Sequence, residues 1–516
     1  MFPTLPRRPF LAGLTGAAAL PLFSLPSLAQ RRVPRIRSDN DILHLDPFDF
    51  IGGVEETLKM ACLMTLVRYV EQGSTEVEPY AAQSIEAIDD RTVRFVLRDD
   101  ILWSDGYGPL SAEDVKFSFE RIADPDGGSP WQYTWEALDH VEVVDNLTGI
   151  IHMKQPFAPL FTTSLPALAG SIVCKRALED VGGTFTTSFP AQCGPYRLVD
   201  WQPSVKIVLE HNPDWAGPEP DFDGFEILVI PDDKTAEIAF EAGELDFTEV
   251  TVDSILRYRD NPPEDSRLME APPSGYSWLG MNTDHPNLQD ERVRRAIQYA
   301  VDIDMILQGA YSGLAGPATG IIGPGQIGHR DARMVTGRDL DQARNLLAEA
   351  GVPNGFQTTL SCLNDTTSRT VCEIIQANLS EVGISADIRT YDPAVYWNLG
   401  VESEGDDWRD LELTLMRYST TADPAYMTVW FTPEQIGVWN WERWASDEYG
   451  ALNDEAMREM DATKRSDKYV AMQDLMEQSG AYHFITDGAR AVLTRSWMQP
   501  FLFFGRAVSL PQFKLV

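Results

Sequence analysis

Residues 78–124 read EPYAAQSIEAIDDRTVRFVLRDDILWSDGYGPLSAEDVKFSFERIAD, and the fold turns on this stretch. Val93, Phe95 and Leu97 alternate with Thr92, Arg94 and Arg98, the period of two expected of a half-buried strand. A helix follows. Ser111 and Asp114 form a capping box, because the hydroxyl can accept the third backbone N–H while the carboxylate reaches back to the first. Val115, Phe119 and Ile122 then give the helix one apolar face. By themselves these residues describe a strand, a glycine turn and a helix of an α/β protein.

The chain has 516 residues, too many for one hydrophobic core, so two or three domains are expected. Its 43% hydrophobic and 10% aromatic content is that of an ordinary globular protein. Against 42 Lys and Arg stand 78 Asp and Glu, net −36, dispersed along the chain. A field of that sign repels nucleic acid and anionic lipid, which argues against both as partners, and dispersed acids favour solubility.

The first 29 residues read as an export signal. Arg7 and Arg8 precede Phe10, Leu11 and an apolar run to Leu28, and Ser27-Leu28-Ala29 is a small-x-small cleavage site before Gln30. The arrangement resembles a twin-arginine leader; a general secretory route stays open. Pro21 and Pro26 break the run and argue against a membrane anchor. No cysteine lies near the cleavage point to receive lipid, since the first is Cys62. The expectation is a cleaved, freely diffusing periplasmic protein, not a lipoprotein. In that oxidising compartment Cys174 with Cys193, and Cys362 with Cys372, are candidates for two short-range disulfides whose connectivity sequence does not fix. Cys62, in an apolar helical stretch, reads as a buried free thiol.

The order of TVRFVLR (92–98), the Trp103-x-Asp105-Gly106 turn and AEDVKFSFER (112–121) resembles the extracytoplasmic solute-binding proteins of family 5, the oligopeptide, dipeptide and nickel binders of ABC importers. CGPYR (193–197), HNPDW (211–215), WLGMN (278–282) and ERVRRAIQYAVD (291–302) continue the resemblance over about residues 35 to 510. It implies an α/β, bilobal periplasmic binding protein of type II (cluster C-like), with an extra small subdomain in the first lobe. The implied division is 33–60, 175–272 and 487–516 for the lobe I core, 61–174 for the extra subdomain, and 273–486 for lobe II. The crossings between lobes fall near Pro272 and Asp487. Glu55 to Tyr69 is expected to be helical. In lobe II, apolar residues at i, i+3, i+4 and i+7 (Val293, Ala296, Ile297, Ala300) mark one of three helices alternating with strands, so a mainly parallel sheet is expected there.

The resemblance also implies where a solute sits. In the peptide binders a loop of the form W-x-x-D-Y-x-(D/E)-P carries an acid that grips the ligand's ammonium. In this chain Pro424 keeps Asp423 beside it, but Thr420 stands at the acid's position and Arg417 at the tryptophan's, next to Tyr418. Free-amine peptides are thereby put in doubt, and an anionic or zwitterionic solute becomes comparable: an opine-like conjugate, a modified peptide or a metal chelate. Arg417 paired with a local acid is the plain alternative. Trp131, in the Ser-Pro-aromatic element, and Phe50, in the rim loop, are further candidate contacts. So are Trp397 and Trp439, although rings serve core packing as readily. The expected partners are a small molecule or short peptide and a permease with its ATPase, and the protein is expected to act as a monomer without cofactor.

Gly323 to Gly328 satisfies G-x-G-x-x-G, but Pro324 and the surrounding Gly/Pro loop do not supply the strand and helix start that a pyrophosphate site needs. No zinc spacing and no G-x-S-x-G elbow occur, which weighs against an exported hydrolase. A periplasmic sensor or chaperone of the same fold remains the third reading.

Overall fold

Trp103 Nε1 and the backbone N–H groups of Ser111 and Lys175 all point at one carboxylate, Asp114, at 3.3, 3.0 and 2.8 Å. The capping box is complete, and the helix it starts, Ala112–Ala123, buries Val115, Phe119 and Ile122. Phe119 stacks on Trp135 with ring centroids 4.3 Å apart. Beneath the helix lies a four-stranded antiparallel sheet, in spatial order Ala82–Asp89, Thr92–Leu97, Thr148–Met153, Leu138–Val143. Val93, Phe95 and Leu97 face inward, as the alternation requires. Residue 149 must be glycine, since a Cβ there would lie 2.3 Å from the Phe95 ring.

The structure is a computed structural model, and it describes residues 33–49, 53–503 and 507–516. The expected leader, residues 1–29, and Phe50 lie outside the described residues.

A seven-stranded sheet has the order Tyr196–Gln202, Lys206–His211, Gly224–Val229, Arg35–Ser38, Phe247–Val250, Ala491–Arg495, Ser266–Glu270. A five-stranded sheet has the order Ser385–Tyr391, Gln357–Leu363, Leu413–Ser419, Gly275–Met281, Tyr482–Thr486. The chain passes between the two sheets twice, at 271–274 and at 487–490. The second sheet is mixed, which corrects the expectation of a mainly parallel one. Gln357–Leu363 is parallel to both its neighbours, but Gly275–Met281 is antiparallel to Leu413–Ser419 and to Tyr482–Thr486. Topology supplies the reason. The chain enters this sheet at Gly275 and leaves it at Thr486 by the same end, so the entering and leaving strands must run in opposite directions.

Helix Glu291–Ala300 is capped by Asp290 and buries Val293, Ala296, Ile297 and Ala300 against the second sheet. The helix expected through Tyr69 stops at Cys62, and Val67–Tyr69 is a strand paired with Val77–Pro79. All five cysteines are buried free thiols, so neither expected disulfide is formed. Cys362 and Cys372 are both buried where helix Thr366–Ser380 covers strand Gln357–Leu363. The turn at Cys193 is closed by its backbone N–H on the Cys62 carbonyl at 3.0 Å, without a bridge to Cys174.

Candidate ligand-binding cleft

Strand Leu413–Ser419 sends its side chains to opposite faces, as pleating dictates. Leu413 and Leu415 join the core under the helices, whereas Met416 and Tyr418 join an aromatic core on the other side. Arg417 therefore leaves the sheet on the face opposite Tyr418. Its side chain is 59% exposed, and its acidic neighbour Asp365 is 3.8 Å away and already capping helix Thr366–Ser380. An exposed pair at that distance contributes little, of the order of 0–1 kcal/mol. The cation is held loosely, and it is available.

Tyr418 is the hub of the aromatic core. Trp278 and Trp430 each meet its ring edge to face with centroids 5.0 Å away, Trp439 lies at 6.0 Å and Trp397 at 6.3 Å. Its hydroxyl donates to the Trp439 carbonyl at 2.6 Å, and burial pushes its ionisation well above the usual range. Tyr418 thus positions the tryptophans, with no free hydroxyl to offer a solute. Trp439 is 41% exposed and Trp397 half-buried, so these two present ring surface.

Thr420 is buried where the strand ends, its backbone N–H on the Ser274 carbonyl at 3.1 Å. Asp423 is 1% exposed. Its two oxygens accept from Arg465 at 2.7 and 2.8 Å, and a third donor, the Thr162 hydroxyl, reaches it at 2.5 Å. This carboxylate is spent inside the protein. It fixes the loop after the strand and does not line an open surface.

Thr162 follows the short turn Ala158–Leu160, which belongs to the half of the molecule containing the four-stranded sheet. Its bond to Asp423 therefore joins the two halves, as does the edge contact of Tyr133 with Tyr426 at 5.2 Å. Trp131 is half-buried beside Tyr133, and its Nε1 donates to the Asp49 carbonyl at 2.7 Å. Ser129 Oγ donates to the Phe48 carbonyl, and Arg121 grips Asp46 with contacts of 2.7 Å. Trp131 pins the rim loop. The candidate residue Phe50, next in that loop, is not among the described residues.

At the waist, Arg490 Nε donates to Glu249 at 2.8 Å while its Nη1 reaches the Pro272 carbonyl at 3.5 Å. One guanidinium thus touches both crossings. Glu249 also lines a small open recess at the carboxyl end of strand Arg35–Ser38, beside the start of helix Gly53–Cys62. Asp487, in the second crossing, is half-buried, and burial pushes its carboxyl up to about 6. In the sequence Asp487 is legible as a crossing and nothing more.

Among the described residues no group of acids, histidines and cysteines is arranged to hold a metal ion, and no helix is long and apolar enough to cross a membrane. The second sheet thus carries an exposed guanidinium on one face, partly exposed rings on the other, and a half-buried carboxylate directly after its last strand.

Two sheet-based halves joined by a doubly threaded waist define a bilobal periplasmic binding protein. The chain belongs to the bacterial extracellular solute-binding proteins, family 5, whose middle-region model matches residues 76–437. Among curated relatives, the glutathione-binding protein GsiB of Salmonella paratyphi A is 28% identical over 389 residues, 74% of this chain and 73% of the relative. Among solved structures, the periplasmic binding protein DppA of Helicobacter pylori, in complex with the peptide STSA, superposes with a TM-score of 0.77 at 24% identity. That match covers 94% of this chain and 98% of DppA. AgaA of A. tumefaciens R10, in complex with agropinic acid, superposes with a TM-score of 0.74 at 22% identity, covering 94% and 99%. The family consists of extracytoplasmic binding proteins rather than enzymes.

Proposed function

We propose that this chain captures a peptide or peptide-like solute between its lobes and delivers it to an ABC permease and its ATPase. The observation that carries the reading is Arg417, an exposed cation at the waist end of the central strand of the second sheet, held only by a long contact with Asp365. A carboxylate of the solute meets that guanidinium, while Trp439 and Trp397, on the Tyr418 face of the strand, are kept as candidate covers for an apolar part. Binding involves no bond-making: closure traps the solute because the closed state holds it more tightly than the open one. The relatives named for glutathione, a peptide and an opine acid define the range of solutes to test.

A second reading, an opine-like conjugate or metal chelate, is favoured by one specific feature, Thr420 where the peptide binders carry an acid. The mature protein is proposed to be a monomer in the periplasm, cleaved after Ala29 from a leader bearing Arg7 and Arg8, without lipid. Native mass spectrometry of protein purified without denaturation identifies a retained solute, and thermal-shift screening with glutathione, short peptides and opines ranks the classes. A retained solute lacking any carboxylate or other anionic group would sink the role given to Arg417. Turnover of peptides or esters would sink the binding-protein reading itself.

A further inference from the structure

We propose that Asp487 is the anchor for a cationic nitrogen, a primary ammonium, on the captured solute. The inference rests on the binding reading above and adds to it a second subsite and the charge it selects.

Asp487 directly follows strand Tyr482–Thr486, at the end of the second sheet from which the chain crosses to the first. Strand Leu413–Ser419 finishes at that same end, with Gly275–Met281 between the two. In the pairing, Ser277 stands opposite Arg417 on one side and opposite Thr486 on the other, so the guanidinium-bearing residue and the neighbour of Asp487 share one row. Two strand spacings, about 10 Å, separate the backbones of that row.

The loop 323–326 ties Asp487 to the segment after the other strand. A Cβ on Gly323 would stand 3.9 Å from the Asp487 carboxyl carbon, while Gln326 in the same loop donates to the Thr421 carbonyl at 2.6 Å. The titratable group close enough to interact with Asp487 is the His329 ring, whose Nδ1 is engaged with the Ile322 carbonyl at 2.8 Å.

Three other acids in this part of the molecule have found internal cations: Asp423 has Arg465, Glu249 has Arg490, and Glu477 has Arg330. Asp487 has neither an ion pair nor a hydrogen bond among the described residues, although it is withdrawn from water. A carboxylate in that position costs free energy until a cation reaches it. Arg490, three residues on, is committed to Glu249 and does not supply that cation, which is assigned to the solute.

The probes are reduced glutathione and trialanine, each with a free amine and as its N-acetyl derivative, titrated calorimetrically against the wild type and Asp487→Asn. The wild type is expected to bind at least one free-amine probe and to lose tenfold or more on acetylation. Asp487→Asn is expected to lose tenfold or more for the free amine and to be indifferent to acetylation. Should the variant fail to fold by circular dichroism, the acetylation comparison on the wild type decides alone. Equal affinity of the wild type for free and acetylated forms, or an unaltered affinity of Asp487→Asn for the free amine, overturns the anchor while leaving the binding reading intact. Failure of the wild type to bind either free-amine probe overturns the anchor together with the peptide-class reading.

Discussion

Asp423 and Arg465 form a two-pronged ion pair in the protein interior, with contacts of 2.7 and 2.8 Å between partners 1% and 4% exposed. Removing one member strands a desolvated charge, so Asp423→Ala is expected to cost roughly 3–5 kcal/mol in urea denaturation. The double variant Asp423→Leu, Arg465→Met should recover most of that loss. If the double variant is as unstable as the single one, the loop depends on geometry that apolar packing does not restore.

Thr162→Val leaves that ion pair in place and deletes the donor that crosses between the halves. Its effect is expected in the radius of gyration of the unliganded protein, which should increase toward the open form. Scattering curves of variant and wild type that superimpose would show that this bond does not hold the halves together.

Arg417→Ala is expected to weaken the retained solute at least tenfold, about 1.4 kcal/mol, with the melting temperature of the free protein nearly unchanged. The separation follows from the long, exposed contact with Asp365. Unchanged affinity with a lowered melting temperature would show that the arginine is structural.

Glu442 lies beneath the aromatic core, 1% exposed, where Oε1 accepts from Trp278 Nε1 at 2.7 Å. Burial raises its carboxyl from the ordinary 4.5 to about 7. A raised carboxylate pKa means that the folded state holds the proton more tightly. The stabilising contribution is therefore fully present below about pH 4.5 and is lost as the pH rises through about 7, a difference on the order of 3 kcal/mol. Glu442→Gln should unfold like the wild type at pH 4 and resist urea better at pH 8. Equal stability of the two proteins at pH 8 would remove the argument.

The five free cysteines are all buried and none lies before residue 62. Thiol titration of the mature protein should find almost none reactive when folded and five when denatured without reductant. A count of three or one would demonstrate disulfides.

Much of the architecture is legible in the chain because it is locally encoded. The alternation at Val93, Phe95 and Leu97, the Ser111–Asp114 box and the heptad-like spacing of Val293 to Ala300 each fix an element within a dozen residues. Elements set by distant partners are not legible in this way. Val67–Tyr69 continues an apolar helical spacing and becomes a strand only because Val77–Pro79 pairs with it. Asp423 looks like a solute contact until Arg465, 42 residues later, folds back onto it. Asp487 shows the converse, an acid unremarkable in sequence whose burial without a partner emerges only in three dimensions.

The guanidinium of Arg490, bound to Glu249 and touching Pro272, has a mechanical consequence. Coupled linkers cannot swivel independently, so the paired segments act as a single axle and the jaws swing along one arc.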